Sequence, residues 1–349
     1  YSELYTFGEL KKTVPEIRYT SQKKNRYGEN RLRADGLLEY PCRTLASLFS
    51  PAIFYGEKLS SIRKIIKQNI QEEFARNSLI RTIPQQGRNN ARLVLTLMKI
   101  LDGKPVENLT GLYVPSNALD VMTDIAIASP AVCAYRQSGN EEDAQMVAKA
   151  VVSVFNKPES AAVIDLMYNK KNDDNYYESV LDYCAIGNLQ AVLDEYLYMA
   201  PENKKLGQVV TDAIIGTSNL SIDTTDSLGK EEKKQLMRCH FAIPFIDKTV
   251  TDKSVTRTTN IRKAFNSPFR PFLLSTTSIG QEGLDFHWYA RTIVHWNLPS
   301  NPVDLEQREG RINRFKCLAI RRNVVKLYAS ETYHTWDELF SMAYSNLKG

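Results

Sequence analysis

One block near the C-terminal end constrains this chain more than any other. From Leu274 to Phe315 it reads LSTTSIGQEGLDFHWYARTIVHWNLPSNPVDLEQREGRINRF. An apolar run, Phe272 to Leu274, opens into Ser275-Thr276-Thr277-Ser278, and Gln281-Glu282-Gly283-Leu284-Asp285 follows. A second apolar run covers Thr292 to Trp296, and a charged block, Gln307 to Arg314, closes the segment. Short apolar runs bounded by polar loops predict strand, loop, strand, loop, helix. Buried strands with ligand-bearing loops at their C-terminal ends are the logic of open α/β sheets. Hydroxyls and backbone N–H groups after the first run suit a phosphate-bearing partner. Gly283 permits a close approach or an unusual φ, and Asp285 is placed to accept a hydrogen bond from a ribose hydroxyl. Arg311 and Arg314 are three apart, so a helix puts them on one face, where two guanidinium groups fit a phosphate chain.

These blocks resemble motifs V and VI of superfamily 2 helicases and translocases. The pattern is Thr277, five residues, then Gly283-Leu284-Asp285, followed by Gln307-Arg308-Glu309-Gly310-Arg311-Ile312-Asn313-Arg314. The intervening WNLPSNPVDLEQREGR is most similar to the SWI/SNF-like branch, including bacterial RNA-polymerase-associated ATPases, and to a group of large bacterial helicase-related proteins. The resemblance covers residues 255 to 330. It implies an α/β RecA-like lobe, a parallel sheet flanked by helices. It further implies that Arg311 and Arg314 reach the γ-phosphate of ATP held by a partner lobe. Gln307 would couple nucleotide state to closure. Gly283, Asp285 and Gly310 would face the nucleotide, and Thr276, Thr277 and Ser278 the nucleic-acid backbone, duplex DNA in the nearest branch. Gln281-Glu282 departs from the arginine or glycines of many relatives.

The rest of an ATP site is not in the sequence. No GxxxxGK[ST] occurs, and Gly103-Lys104 and Gly229-Lys230 lack the earlier glycine and the hydroxyl residue. Asp194-Glu195 looks like an acidic pair, but within NLQAVLDEYLYMA the apolar residues recur at helical spacing, so it reads as a solvated helix face. Half a site is therefore expected here, with ATP and Mg2+ held mainly by an N-terminal lobe in the same parent chain or in a partner subunit. A start at Tyr1 and an end at Lys348-Gly349 support a piece of a longer protein. The competing readings are a non-catalytic helicase lobe acting as a scaffold and a complete ATPase with an atypical phosphate loop. Intact Gln307, Arg311 and Arg314 argue against the first, and the lack of a glycine-rich segment after a strand argues against the second.

Arg308 and Arg321-Arg322 read as surface or backbone-binding charges. His287 and His295 read as structural, and Trp288 and Trp296 as packing residues rather than base-stacking ones.

Charge is uneven. From Gly229 onward there are 19 Lys and Arg against 12 Asp and Glu; the preceding 228 residues hold 26 against 28. The basic excess lies in the helicase-like part, where phosphates are expected. Five scattered cysteines without a CxxC pair imply free thiols in a reducing, cytoplasmic setting, with neither zinc nor disulfides. No apolar run approaches the length of about 18 residues needed for a membrane span.

Residues 1–35 form a polar arm in which Tyr5, Tyr19 and Tyr27 interleave with lysines. Residues 36–200 predict a mainly α-helical domain: helical spacing runs from Lys58 to Arg76, Asn90 to Leu101, Asp143 to Phe155 and Ser179 to Ala200. Ser116 or Asn117 caps a further helix that Pro130 ends. Residues 201–349 form the expected lobe, its boundary falling between 185 and 230. There Asn219 to Asp223 and Cys239 to Phe245 read as short strands, and Asn260 to Phe265 as a short helix.

Overall fold

A computed structural model describes residues 32, 36–50, 58–81, 91–106, 114, 116–168, 176–200, 205–215, 220–222, 235–237, 262–269, 274, 286–328 and 335–347. The chain divides into two compact units, Tyr1–Ala191 and Val192–Gly349.

The first unit is helical. Its elements are α1 (Arg43–Ser47), α2 (Leu59–Arg76), α3 (Ser78–Arg81), α4 (Ala91–Leu101), α5 (Ala118–Ala128), α6 (Pro130–Ser138), α7 (Glu141–Phe155), α8 (Pro158–Tyr168) and α9 (Tyr176–Ile186), after a 3-10 turn at Leu37–Glu39. Helix α2 buries Ile62, Ile66 and Ile70, a spacing of four that makes one apolar stripe. Helix α5 lies centrally against α2 and α9, and Val121, Met122, Ile125, Ala126 and Ala128 are all buried. The helix expected to end at Pro130 does stop just before it, at Ala128, with Asn117 at its N-cap. Ser129 separates the two helices, and Pro130 opens α6, where its missing N–H is harmless. Gly139, at φ 65°, closes α6, and the Asn140 side chain then accepts the Asp143 N–H at 3.0 Å to start α7.

Polar side chains fasten these helices. Asp102, just past α4, accepts from Tyr40 Oη (2.9 Å) and from the backbone N–H of Arg43 (3.1 Å) and Thr44 (2.9 Å), so a carboxylate from elsewhere caps α1. Arg136 donates to the carbonyls of Ala46 (3.1 Å) and Ala126 (2.7 Å), with its guanidinium 4.2 Å from the Phe49 ring centre.

Helix α10 (Leu189–Met199) follows the turn at Gly187-Asn188, where Asn188 takes φ 49°, and the unit division falls in its first turn. The second unit then holds α11 (Leu206–Ile215), β1 (Leu220–Ile222), β2 (Gln235–Met237), a helical stretch at 262–265, α12 (Pro302–Glu309), α13 (Leu318–Tyr328) and α14 (Trp336–Leu347). Tyr196 anchors α10 and α11 by donating to the Val209 carbonyl at 3.4 Å, and its ring meets Phe269 and Tyr289 edge-on.

The α/β lobe with a parallel sheet is corrected here. Among the described residues the sheet is two antiparallel strands of three residues, Leu220 opposite Met237, Ser221 opposite Leu236 and Ile222 opposite Gln235. The run Thr292 to Trp296, expected as a buried strand, is irregular, with Val294 83% and Trp296 94% exposed. A β-branched, aromatic run satisfies strand composition, but a strand also needs a neighbour to take its N–H and C=O groups, and none flanks this one among the described residues. Packing is thereby corrected for Trp296 as well. The expected strand at Cys239 to Phe245 lies outside the described residues.

No single described helix is long and apolar enough to cross a membrane; α5 and α6 reach that length only as a pair bent by 50°.

Candidate functional site

The charged block Gln307 to Arg314 begins on α12. Asn301 caps this helix by accepting the Val303 N–H at 3.0 Å, Pro302 occupies its first position, and Asp304 lies in the first turn. The helix stops at Glu309. Gly310 N–H still reaches the Glu306 carbonyl (2.8 Å), but Arg311 donates to Arg308 (3.2 Å) and Ile312 to Glu309 (3.1 Å), the three-residue spacing of a tightening last turn. The expectation that a helix carries both arginines on one face is therefore corrected: Arg311 and Arg314 stand on the loop that follows α12. Gln307 is exposed in the last turn of that helix. Gly310 has an ordinary φ of −58°, and a Cβ there would meet the Glu306 carbonyl at 3.3 Å.

The loop is pinned at both ends on the segment that follows Asp285. Phe286 donates its N–H to the Arg311 carbonyl (3.1 Å), and Leu318 donates to the His287 carbonyl (3.0 Å). Phe286 is itself buried, its ring edge-on to Phe265 at 5.4 Å. The segment that follows the first signature is thus joined to the loop that carries the second by main-chain hydrogen bonds. Between the pins, Cys317 N–H closes on the Arg314 carbonyl (2.9 Å) because Lys316 takes a left-handed φ of 58°. Lys316 Nζ lies 4.0 Å from the Tyr198 ring centre, a cation–π contact that holds this unusual residue in place.

Arg311 is half-buried, and its Nε has no hydrogen-bond acceptor among the described residues. Arg314 is exposed. Arg308 is committed to the scaffold, donating to the Asn297 carbonyl at 3.0 Å. Thr276, Thr277, Ser278, Gly283 and Asp285 lie outside the described residues. Among the described residues no three His, Cys, Asp or Glu side chains are grouped to hold a metal ion. The groups on this loop are donors and cations, which fit phosphate oxygens and not Mg2+.

Three residues read from sequence as surface charges are integral to this region. Arg321 on α13 is 0% exposed. Its Nε donates to Glu195 Oε1 (2.6 Å), Nη1 to the Lys316 carbonyl (2.6 Å) and Nη2 to the Trp288 carbonyl (2.5 Å). The Asp194-Glu195 pair is accordingly not a solvated helix face: Glu195 holds this arginine, and Asp194 is only 7% exposed. Tyr289 lies beneath the same guanidinium, 5.4 Å from ring centre to Cζ, and burial followed by the nearby Glu195 charge holds its hydroxyl well above the ordinary value of 10.0. The sequence signal for Arg321 was faint: one of two adjacent arginines in LAIRRNVVKLY on the apolar side of an amphipathic helix.

A family model, the helicase conserved C-terminal domain, matches residues 212–316. The matched span is similar to that domain, and it contains the loop with Arg311 and Arg314. No curated protein and no solved structure matches the chain.

Proposed function

We propose that this chain contributes half of an ATP site to a nucleic-acid-dependent helicase or translocase, with Arg311 and Arg314 as its arginine fingers. The observation that carries the reading is the hydrogen bond from Phe286 N–H to the Arg311 carbonyl, 3.1 Å, inside the matched span. It ties the residue that follows the first signature to the main chain of the second signature's arginine. In this reading Thr276, Thr277 and Ser278 contact the nucleic acid and lie on the chain that leads to Phe286.

The arginines supply fixed positive charge where negative charge is redistributed over a transferring phosphoryl group, worth on the order of a thousandfold or more in related NTPases. The half-buried stem of Arg311 limits how far its head can wander, and exposed Arg314 gives reach across a cleft. Gln307, one turn earlier on α12, senses the same loop, and Gly283, Asp285 and Gly310 complete the nucleotide-facing backbone. Mg2+ with ATP supplies neutralisation of the phosphate oxygens when bound; its ligands belong to the opposing N-terminal lobe. The net basic charge after Gly229 suits duplex DNA as the partner.

The test is ATP turnover by the full protein with and without duplex DNA. Arg314→Ala is expected to abolish turnover while leaving DNA binding nearly unchanged. Wild-type turnover in that variant would sink the finger assignment, and no hydrolysis by the wild type under any nucleic acid would point to a scaffold.

A further inference from the structure

The loop bearing Arg311 and Arg314 is short, irregular and largely solvent-facing, yet finger chemistry requires its geometry to hold while a site closes around it. Its main-chain restraints among the described residues are the turn bonds after α12, the Cys317–Arg314 bond and the two pins. Beyond those bonds it is held by a fully buried side chain outside the matched span, Arg321, which reaches three separate stretches of backbone and side chain at once.

We propose that Arg321 is the positioning residue of the arginine loop, clamping the Phe286–Tyr289 segment against the Arg311–Cys317 loop through the Trp288 and Lys316 carbonyls, with Glu195 as its buried counter-charge. This rests on the finger reading above. The geometry uses what is particular to a guanidinium: donors in one plane, diverging from a rigid fork, can serve three acceptors in different directions. At Arg321 those acceptors are Glu195 Oε1 at 2.6 Å, the Lys316 carbonyl at 2.6 Å and the Trp288 carbonyl at 2.5 Å. An ammonium has no such fork, so lysine keeps the charge but not the clamp. The carboxylate is needed because a fully buried cation left unpaired is costly, and Glu195 comes from α10, ahead of the matched span. The Lys316 carbonyl is aimed at the fork by its left-handed backbone, so the strained residue and the clamp explain one another. Arg321 touches neither expected substrate, so its effect on turnover must pass through the loop.

Hydrogen exchange in the full protein reads the clamp without any activity. In Arg321→Lys, the amides of Phe286 and Leu318, which make the two pins, are expected to exchange about tenfold faster or more, since bonds to a charged group are being lost. The Val210 amide of α11, in the same unit, is expected to stay protected. The double variant Arg321→Met with Glu195→Met replaces the buried pair by apolar side chains, which keeps the unit folded, and it should show the same local loosening. In both variants kcat should fall about a hundredfold with KM for ATP little changed, the pattern of lost positioning. Unchanged exchange at Phe286 and Leu318, or equal acceleration at Val210 in both variants, would overturn the clamp. Wild-type turnover in Arg314→Ala alongside local loosening in Arg321→Lys would instead refute the fingers and leave the clamp standing as structure.

Discussion

Arg63 on α2 shows how a half-buried charge is managed in the helical unit. It donates to Asp124 Oδ1 at 3.0 Å and to Asp182 Oδ1 at 2.7 Å, joining three helices. Burial nevertheless outweighs the guanidinium and raises the Asp124 carboxyl above its ordinary 3.8. The folded chain therefore binds that proton more tightly than the unfolded chain. The associated stabilisation is present below 3.8 and is lost as pH climbs through the raised value. Asp124→Asn removes this titration and leaves Arg63 its Asp182 partner. Between about pH 4 and pH 7 the urea midpoint of the variant is expected to fall less steeply than that of the wild type. Identical slopes would show that Asp124 titrates alike in both states. The contrast with Arg311, Arg314 and Arg321 marks what was legible at this scale. Arg311 and Arg314 announce themselves because their spacing and neighbours form a local pattern. Arg321 does not, because its carboxylate partner lies 126 residues away and its other two partners are carbonyls, which carry no residue identity.

Helices were readable where one face is buried by local periodicity. Ile62, Ile66 and Ile70 on α2, and Val94, Leu97, Met98 and Leu101 on α4, repeat at three and four, and the elements formed at Leu59–Arg76 and Ala91–Leu101. Ile66→Ala, at a fully buried position of that stripe, is expected to destabilise the helical unit by about 2–5 kcal/mol, because the helix cannot collapse into the space left. A thermal or urea unfolding series measures it; a loss near zero would mean that the stripe is not the contact surface. Strands were less readable for a physical reason. The three residues of β1 exist because Gln235–Met237 lies antiparallel to them, a fact about a distant segment. Thr292 to Trp296 has better strand composition than either, yet Val294 and Trp296 face solvent. The end of α12 was likewise misplaced: nothing in Gln307 to Arg314 forbids a continuing helix, and the loop is imposed by the pins from Phe286 and Leu318.

At the level of the molecule, one span of helicase-type sequence sits within a chain of two compact units, and the chemistry of that span is one-sided. Arg311 and Arg314 can stabilise charge on a phosphate, but stabilising charge does not bind and orient a nucleotide. That requires a cradle of backbone N–H groups and a lysine on the phosphates, and no GxxxxGK[ST] occurs in the 349 residues. Positioning contributes as much as charge in phosphoryl transfer, so a half-site should be silent and not merely slow. The purified chain is expected to release no phosphate from ATP, with or without duplex DNA. If the half-site reading holds, supplying an N-terminal helicase lobe in trans should bring DNA-stimulated release, and Arg311→Ala in this chain should abolish it. Nucleic-acid-stimulated hydrolysis by the chain alone, lost on substituting one of its own residues, would refute the half-site and require a phosphate cradle built from some other part of this sequence.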